Sequence, residues 1–518
     1  MKNENYPLYD VPQLNNLKEL VNYCAEIYGN KPAFVYEQGG AEVTISYRRF
    51  KTDVDALGTA FFDMGIKSMK VALIGENSYE WLLTYFATVN SGNVIVPLDK
   101  ELPADDIGNI LKMSDAMTLI HSDSYSDIAC QIKEKQNNIR HYINMDSLLC
   151  LTEQGNNAII QGDRSVVDCT IDNNTLTALI FTSGTTGMAK GIMLTHKSLM
   201  CNTIGVCQNA YWSDRNLLVL PLHHNAGLVG VLCMIVHGSS IAISGGLKNL
   251  QNDFQKYKPR NTVLVPLFIE TFFKQIEATA GEINNNVKLR EAADKIFGGS
   301  LETIITTGAP LNKKFVEGYR GFGVNILNVY GQTEYSAAIS INRNNYCRYG
   351  SVGQIIPCCE LKLSNQTDDG HGEILVKGNS MMLGYYKNEL ATQEAIGSGW
   401  LITGDIGYID DDGFLYISGR KKNLIIMSNG KNVYPEELEF ALSNMMPYIK
   451  EVVVYADGDQ IVAEVFLDIE NYPDSASRLK NDILIFNKTQ PNFKNISRTI
   501  IRATEFPKTT TKKIKRRY

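Results

Sequence analysis

Short runs of β-branched and other apolar residues alternate along the chain with longer amphipathic stretches. Val71–Ile74 is predicted to be a buried strand, Tyr79–Ser91 a helix and Val94–Leu98 a second strand. The same kind of strand recurs at Leu176–Phe181, Asn216–Leu220, Thr262–Val265, Thr303–Thr306 and Asn325–Val329. This alternation predicts an α/β fold, with a large N-terminal domain of mixed, mostly parallel sheets and flanking helices.

The pattern changes after the polar connector Gly419–Asn423. The predicted elements beyond it are two helices and three strands, at Pro435–Ser443, Glu451–Tyr455, Gln460–Leu467, Ser475–Asn487 and Arg498–Ala503. An Asp-Gly turn between the first two strands indicates a hairpin. We therefore predict an N-terminal domain over residues 1–420 and a small, mobile α+β domain over residues 421–518.

Composition narrows the functional classes. The 518 residues carry a net charge of -6, which excludes a broad nucleic-acid-binding surface. The ten cysteines include no C-x-x-C pair, which is typical of a protein from a reducing compartment. The chain shows neither a signal-peptide pattern nor an apolar run long enough for a transmembrane segment. We expect a cytoplasmic protein that is a monomer or homodimer.

A polar, glycine-rich segment follows the predicted strand Leu176–Phe181. Backbone N–H groups, hydroxyl groups and one lysine together can surround a phosphate anion. The spacing from Gly184 to Lys190 differs from that of a Walker A loop, and a polar surface turn is the competing interpretation. The predicted phosphate-binding residues are Thr182, Ser183, Gly184, Thr185, Thr186, Gly187 and Lys190.

Three further short motifs have residues suited to a nucleotide and its metal ion. In Tyr330–Glu334, an aromatic ring can stack on a base, a hydroxyl can bind a phosphate and a carboxylate can bind Mg²⁺. Asp405 follows Thr403–Gly404 and could accept ribose hydroxyl groups, while Arg420 begins the connector. Each motif is weak by itself, since such residues are also common in surface turns.

Taken in order, these motifs resemble those of the adenylate-forming superfamily, which includes acyl-CoA synthetases, adenylation domains and beetle luciferase. The resemblance extends over nearly the whole chain. Gly308–Ala309–Pro310 is similar to the turn that contacts adenine, and Gly384–Tyr385–Tyr386 matches a landmark between the nucleotide motifs. The segment Lys295–Gly299 is similar to bacterial long-chain acyl-CoA synthetases.

The resemblance implies a role for each motif residue. Ser183, Thr185, Thr186 and Lys190 would hold the β- and γ-phosphates of ATP. The turn Gly308–Ala309–Pro310, with Tyr330 and Gly331, would surround adenine; Thr333 would contact the α-phosphate, and Glu334 would bind Mg²⁺. Asp405 would bind the ribose, with Arg420 also reaching the nucleotide. Lys422 would be the hinge. Lys513 rather than Lys512 would be the catalytic lysine of adenylation.

The resemblance also bears on the substrate. Pro221–Gly227 is similar to a segment of acyl- and aryl-CoA ligases, in which His224 would border the acyl pocket. No Asp stands nearby in the sequence to pair with an amine, which favours a simple carboxylic acid, with a medium- or long-chain fatty acid as the first hypothesis. The acceptor would be CoA or the phosphopantetheine of an acyl carrier protein. The alternatives are an aromatic acid and a nucleotide-binding regulator without catalysis.

Overall fold

The computed structural model describes residues 7–135, 138–182, 189–281, 285–428, 431–508 and 514–516. The chain divides into two compact units. The first contains Met1–Leu361 and Val376–Leu401, and the second contains Lys362–Leu375 and Ile402–Tyr518. Residues 402–420 thus group with the C-terminal part, whereas the sequence placed a domain boundary after residue 420. That boundary stays a prediction.

The helices and strands follow the alternation predicted from the sequence. The helices are α1 Leu17–Ile27, α2 Tyr47–Asp63, α3 Tyr79–Asn90, α4 Ala104–Ser114, α5 Ser126–Lys135, α6 Leu148–Ile160, α7 His196–Asn209, α8 Asn225–Val236, α9 Leu250–Tyr257, α10 Pro266–Ala280, α11 Asn286–Phe297, α12 Lys313–Gly321, α13 Glu389–Ala395, α14 Pro435–Met445 and α15 Ser475–Lys488. The strands are β1 Pro32–Gln38, β2 Ala41–Ser46, β3 Lys70–Ile74, β4 Val94–Pro97, β5 Thr118–His121, β6 His141–Asn144, β7 Leu176–Thr182, β8 Lys190–Thr195, β9 Arg215–Leu218, β10 Ser240–Ile243, β11 Asn261–Leu264, β12 Thr303–Thr306, β13 Asn325–Tyr330, β14 Ser340–Ile341, β15 Gln354–Ile355, β16 Cys359–Ser364, β17 Gly372–Gly378, β18 Gly384–Tyr385, β19 Ile396–Gly397, β20 Trp400–Ile409, β21 Leu415–Arg420, β22 Ile425–Ile426, β23 Asn432–Val433, β24 Ile449–Asp457, β25 Gln460–Leu467 and β26 Ile496–Ile501.

Two large sheets form the first unit. One has seven strands in the order β18-β8-β7-β4-β3-β5-β6, and the other has nine in the order β15-β14-β13-β12-β11-β9-β10-β1-β2. The strands in the middle of both sheets are parallel, while the pairs β7/β8, β8/β18, β13/β14 and β1/β2 are antiparallel. The predicted α/β class is confirmed.

A core rich in aromatic side chains packs against the nine-stranded sheet. Phe254, Phe272, Phe297 and Tyr319 are buried there against Leu264 of β11. The rings of Phe254 and Phe297 meet edge to face with their centroids 5.0 Å apart, which is a favourable geometry. This packing of α9–α12 holds the loops at the ends of β11, β12 and β13 on a rigid base.

The second unit contains an α+β arrangement, as its hydrophobic pattern predicted. Strands β24, β25 and β26 form one sheet, in which β24 and β25 are antiparallel and β26 is parallel to β25. Its core includes Leu438 and Leu442 of α14 and Ile483 and Phe486 of α15. Within the described ranges, none of the helices is long and apolar enough to cross a membrane.

Candidate active site

The predicted nucleotide motifs of the first unit follow the carboxyl ends of parallel strands. Strands β12 and β13 pair in parallel with Thr306 opposite Asn328, so Gly308–Pro310 and Tyr330–Glu334 leave the sheet at the same edge. Gly308 has a φ of 94°, a conformation that favours glycine. Ligand sites in open α/β sheets form at this edge.

The predicted phosphate-binding segment joins β7 to β8. These strands form an antiparallel hairpin in which Thr182 lies opposite Lys190. The other predicted members of the loop, Ser183, Gly184, Thr185, Thr186 and Gly187, lie outside the described residues. The hairpin therefore places Lys190 at the base of the loop, and the ammonium group lies 4.9 Å from the centre of the Tyr385 ring.

Tyr385 connects the phosphate-loop lysine to the predicted metal-binding carboxylate. Its hydroxyl group donates a 2.9 Å hydrogen bond to Oε1 of Glu334, and the Glu334 carbonyl oxygen accepts a 2.8 Å bond from the Met382 amide. Burial, together with the charge of Glu334, raises the pKa of Tyr385, so the phenol stays protonated as a donor. Lys190 and Glu334 thus lie against the same aromatic side chain.

A tight turn holds Glu334 in place. Thr333–Tyr335 form one turn of 3-10 helix, and Ser336 has a left-handed φ of 64°. A Cβ at Gly331 would overlap the carbonyl oxygen of Ala337 and lie 2.7 Å from its carbon, so glycine is required at this close approach. The side chain of Asn225 donates to the Ser336 carbonyl oxygen, which ties the start of α8 to this turn.

His224 immediately precedes α8, beside a second histidine and an aspartate. The rings of His223 and His224 are 4.2 Å apart, and Nε2 of His223 lies 3.3 Å from Oδ1 of Asp99. Burial opposes ionisation of Asp99, but the contacts with His223 and the Glu101 amide outweigh it and lower the pKa of this carboxyl group. In the described part of the chain, this is the one set of three metal-ligating side chains whose ligand atoms lie within 4.8 Å of one another.

The nucleotide residues of the second unit form an ion pair across a hairpin. Asp405 of β20 lies opposite Arg420 of β21, and Nε of Arg420 is 2.9 Å from Oδ1 of Asp405. The Asp405 side chain is 7% exposed and that of Arg420 is 47% exposed. The buried carboxylate is therefore held in one orientation by a guanidinium group that reaches solvent.

The two remaining predicted residues are both lysines. Burial, together with the charges of Arg420 and Arg516, lowers the pKa of Lys422. A hinge role for Lys422 remains a prediction. Lys513 lies outside the described residues, so its role in adenylation is also a prediction.

Comparison with known proteins decides the family. Residues 22–386, more than half of the chain, match the AMP-binding enzyme family, and residues 422–518 match the AMP-binding enzyme C-terminal domain. The chain belongs to the AMP-binding enzyme family. The adenylate-forming resemblance inferred from the motifs is confirmed, and so is the predicted enzyme class of AMP-forming acid–thiol ligases.

Several members of the AMP-binding enzyme family are similar along nearly their whole length. The long-chain-fatty-acid–CoA ligase FadD15 of Mycobacterium bovis is 29% identical, over 89% of this chain and 84% of the relative. The structure of the anthranilate CoA ligase AuaEII in complex with anthranoyl-AMP has a TM-score of 0.81 at 22% identity, covering 99% of this chain and 97% of that one. O-succinylbenzoate coenzyme A synthetase from Bacillus subtilis, in complex with ATP and magnesium ion, has a TM-score of 0.77 at 22% identity, covering 96% and 98%. The two structures establish the shared fold.

Sequence reasoning gave no role to two residues that this AMP-binding enzyme places beside the predicted site. Tyr385 was recognised as part of a landmark, but its contacts with Lys190 and Glu334 arise because β18 pairs with β8. Asp99 lies just beyond the end of β4, and a polar residue after a predicted strand is a signal that could have identified it.

Proposed function

We propose that this AMP-binding enzyme condenses a fatty acid of medium or long chain with ATP to form acyl-AMP, and then transfers the acyl group to CoA. The arrangement of Lys190, Tyr385 and Glu334 carries the proposal. The Lys190 ammonium group and the Glu334 carboxylate both contact the Tyr385 side chain, so a cation and a candidate metal ligand lie together beside predicted nucleotide motifs.

The first half-reaction brings two anions together. A carboxylate oxygen attacks the α-phosphorus of ATP, the bond to the β-phosphate breaks and pyrophosphate leaves. Catalysis of this displacement depends on positioning and on neutralising negative charge. We propose that Lys190 compensates charge on the β- and γ-phosphates and that Thr333 donates a hydrogen bond to the α-phosphate.

Glu334 fits a magnesium ion by its chemistry. A carboxylate oxygen is the ligand type that Mg²⁺ prefers, and Tyr385 fixes the orientation of this carboxylate through a single oxygen. When bound with ATP, Mg²⁺ would supply charge neutralisation at the phosphates. The half-buried position of Glu334 leaves it accessible to a nucleotide.

The relatives support the proposed class of acid. FadD15 acts on long-chain fatty acids by its name, and it supports the fatty-acid proposal. An aromatic acid is the second candidate, because the two structures described above carry the names of an anthranilate ligase and an O-succinylbenzoate synthetase.

In the second half-reaction the thiol attacks the acyl carbonyl carbon, the bond to the AMP oxygen breaks and AMP leaves. Lys513 is proposed to act only in the first half-reaction, with Lys422 as the hinge of a domain rotation between the two steps. The similarity to CoA ligases favours CoA as the thiol over a carrier-protein phosphopantetheine.

The test is pyrophosphate release by the full chain with ATP, Mg²⁺ and a panel of fatty, aromatic and amino acids, with and without CoA. Multiple turnover with fatty acids only when CoA is present supports the proposal. Turnover restricted to aromatic acids would show that the substrate is an aromatic acid and not a fatty acid. A single burst that CoA fails to relieve indicates a carrier-protein acceptor, and no release with any acid overturns the activity.

A further inference from the structure

Two cysteines contact each other in the first unit. Cys201 lies in α7 and Cys358 directly precedes β16. Sγ of Cys358 donates a 3.2 Å hydrogen bond to the Cys201 carbonyl oxygen and lies 3.4 Å from Oγ of Ser380. A Cβ at Gly205 would come within 2.9 Å of the Cys358 sulfur, so a glycine on this face of α7 makes the close approach possible.

The thiol pair adjoins the turn that carries Glu334. The Tyr335 hydroxyl group donates a 3.2 Å bond to the carbonyl oxygen of Cys358. Asn202, the neighbour of Cys201, donates to the carbonyl oxygens of Tyr335 and Ala338 at 3.0 and 2.7 Å. Each cysteine is therefore connected, through its own backbone or that of an adjacent residue, to hydrogen bonds that fix this turn.

A third set of contacts links the same elements. Oγ of Ser336 donates a 2.8 Å bond to the carbonyl oxygen of Ser380, whose hydroxyl group touches Cys358. The turn is thus held from α7, from the segment before β16 and from Ser380. A backbone shift between Cys201 and Cys358 therefore acts on these supports.

We propose that Cys201 and Cys358 form an oxidation site for hydrogen peroxide, which couples the redox state of the chain to the geometry of the Glu334 turn. The Cys201 thiolate attacks one peroxide oxygen, the O–O bond breaks and hydroxide leaves, which gives a sulfenic acid on Cys201. The Cys358 sulfur then attacks the sulfenic sulfur as its proton passes to the departing hydroxyl group, so that the S–O bond breaks and water leaves. The two thiols are oxidised to one disulfide, and the peroxide is reduced to two waters after the hydroxide takes up a proton.

The surroundings distinguish the attacking thiol from its neighbours. The neighbouring Cys358 side chain lowers the pKa of Cys201 despite burial, with help from Ser380 and the positive charge of Lys197. Burial raises the pKa of the adjacent Cys359 thiol to about 12. Because the thiolate is the reactive form, oxidation starts at Cys201.

Disulfide formation would tighten this region. The S–S bond length is about 2.05 Å, and forming this bond takes the Cys358 sulfur away from its hydrogen bond with the Cys201 carbonyl oxygen, so we expect the segment before β16 to shift against α7. The hydrogen bonds of Tyr335 and Asn202 then change, and Glu334 moves. A displacement of about 1 Å in a catalytic group can lower the rate by about 100-fold, and we expect a roughly tenfold or larger loss of pyrophosphate release. This functional effect rests on the proposed activity, whereas the crosslink does not.

The experiment treats the full-length reduced protein with hydrogen peroxide, then divides it between peptide mapping by mass spectrometry and the pyrophosphate assay. We expect a peptide linked through Cys201 and Cys358, a loss of activity and recovery of activity with dithiothreitol. Cys201→Ser and Cys358→Ser should each retain activity under peroxide. The matched controls Cys359→Ser, next to the pair, and Cys130→Ser, at an exposed position, should remain as sensitive as the wild type.

Absence of the linked peptide in the treated wild type overturns the proposal, whatever happens to activity. Equal inactivation of the Cys201→Ser and Cys358→Ser variants also overturns it. A crosslink without loss of activity refutes the coupling to Glu334. If the reduced protein releases no pyrophosphate, the proposed function fails, while peptide mapping still tests the crosslink independently.

Discussion

Two glycines one turn apart on α8 allow a matched test of the geometry around His224. A Cβ at Gly227 would overlap the carbonyl oxygen of Pro221, and would lie 3.1 Å from the carbon of the same carbonyl and 3.3 Å from the Leu220 oxygen. A Cβ at Gly230 would meet only Cγ2 of Val263, at an ordinary contact distance of 3.5 Å. Gly227→Ala and Gly230→Ala therefore add the same methyl group to one helix in opposite environments.

The expected magnitudes follow from these contacts. Replacing glycine by alanine within a helix stabilises it by about 0.8–1 kcal/mol, with a smaller gain for Gly227 because it lies in the first turn. Overpacking costs about 1–3 kcal/mol, and backbone atoms such as the Pro221 carbonyl cannot rotate away. We expect Gly230→Ala to leave the free energy of unfolding unchanged or raise it by up to about 1 kcal/mol. Gly227→Ala should lower it by about 1–3 kcal/mol and displace the turn that carries His224, with a loss of activity.

Denaturant unfolding followed by tryptophan fluorescence measures this difference. The three tryptophans, Trp81, Trp212 and Trp400, all belong to the first unit, so the signal reports the unit that contains α8. Pyrophosphate release by the same samples reports the site. A Gly227→Ala variant as stable and active as Gly230→Ala would refute the close approach of α8 to the Pro221 turn.

Three further predictions concern the site and its surroundings. Tyr385→Phe removes a hydrogen bond to a charged group, worth about 1.5–3 kcal/mol, and should lower kcat/KM by roughly tenfold or more, with a larger loss in Glu334→Gln. Tyr386→Phe should leave kcat/KM unchanged, because the Tyr386 hydroxyl group binds Asp115 instead, and equal effects of the two phenylalanine variants would contradict this prediction. Burial lowers the pKa of His196 from 6.5 to about 4, so its stabilising contribution is complete above pH 6.5 and is lost as the pH falls towards 4. His196→Asn should therefore reduce the loss of unfolding free energy between pH 6.5 and pH 4 by up to about 3 kcal/mol, measured by denaturant unfolding at each pH. An unchanged dependence of the unfolding free energy on pH would refute the buried neutral state. Lys513→Ala should abolish acyl-AMP formation while sparing thioester formation from supplied acyl-AMP, and equal loss in both half-reactions would exclude separate roles.

The elements that the sequence predicted are those with a local hydrophobic signature. Thr303–Thr306 and Gln460–Leu467 coincide with β12 and β25, since continuous apolar or alternating runs mark buried strands. The neighbours of each strand within its sheet depend on contacts between distant segments. The pairing of β8 with β18, which brings Tyr385 to Lys190, has no local signature.

The same limit applies to the candidate site. Lys190 and Glu334 were assigned from motifs whose residue types match phosphate and metal chemistry. The contact of Asp99 with His223 and the contact of Cys201 with Cys358 join residues more than a hundred positions apart. Only the folded chain reveals such pairs, because neither residue is unusual within its own segment.

Transfer of an isotope label tests the proposed acyl-adenylate most directly. The full chain would be supplied with ATP, Mg²⁺, CoA and a fatty acid labelled with oxygen-18 in its carboxylate, and the products analysed by mass spectrometry. Attack of the carboxylate on the α-phosphorus, followed by cleavage of the carbonyl C–O bond, leaves a single labelled oxygen in AMP and none in pyrophosphate. Formation of acyl-CoA with unlabelled AMP, or with ADP and labelled phosphate, would contradict an acyl-adenylate intermediate.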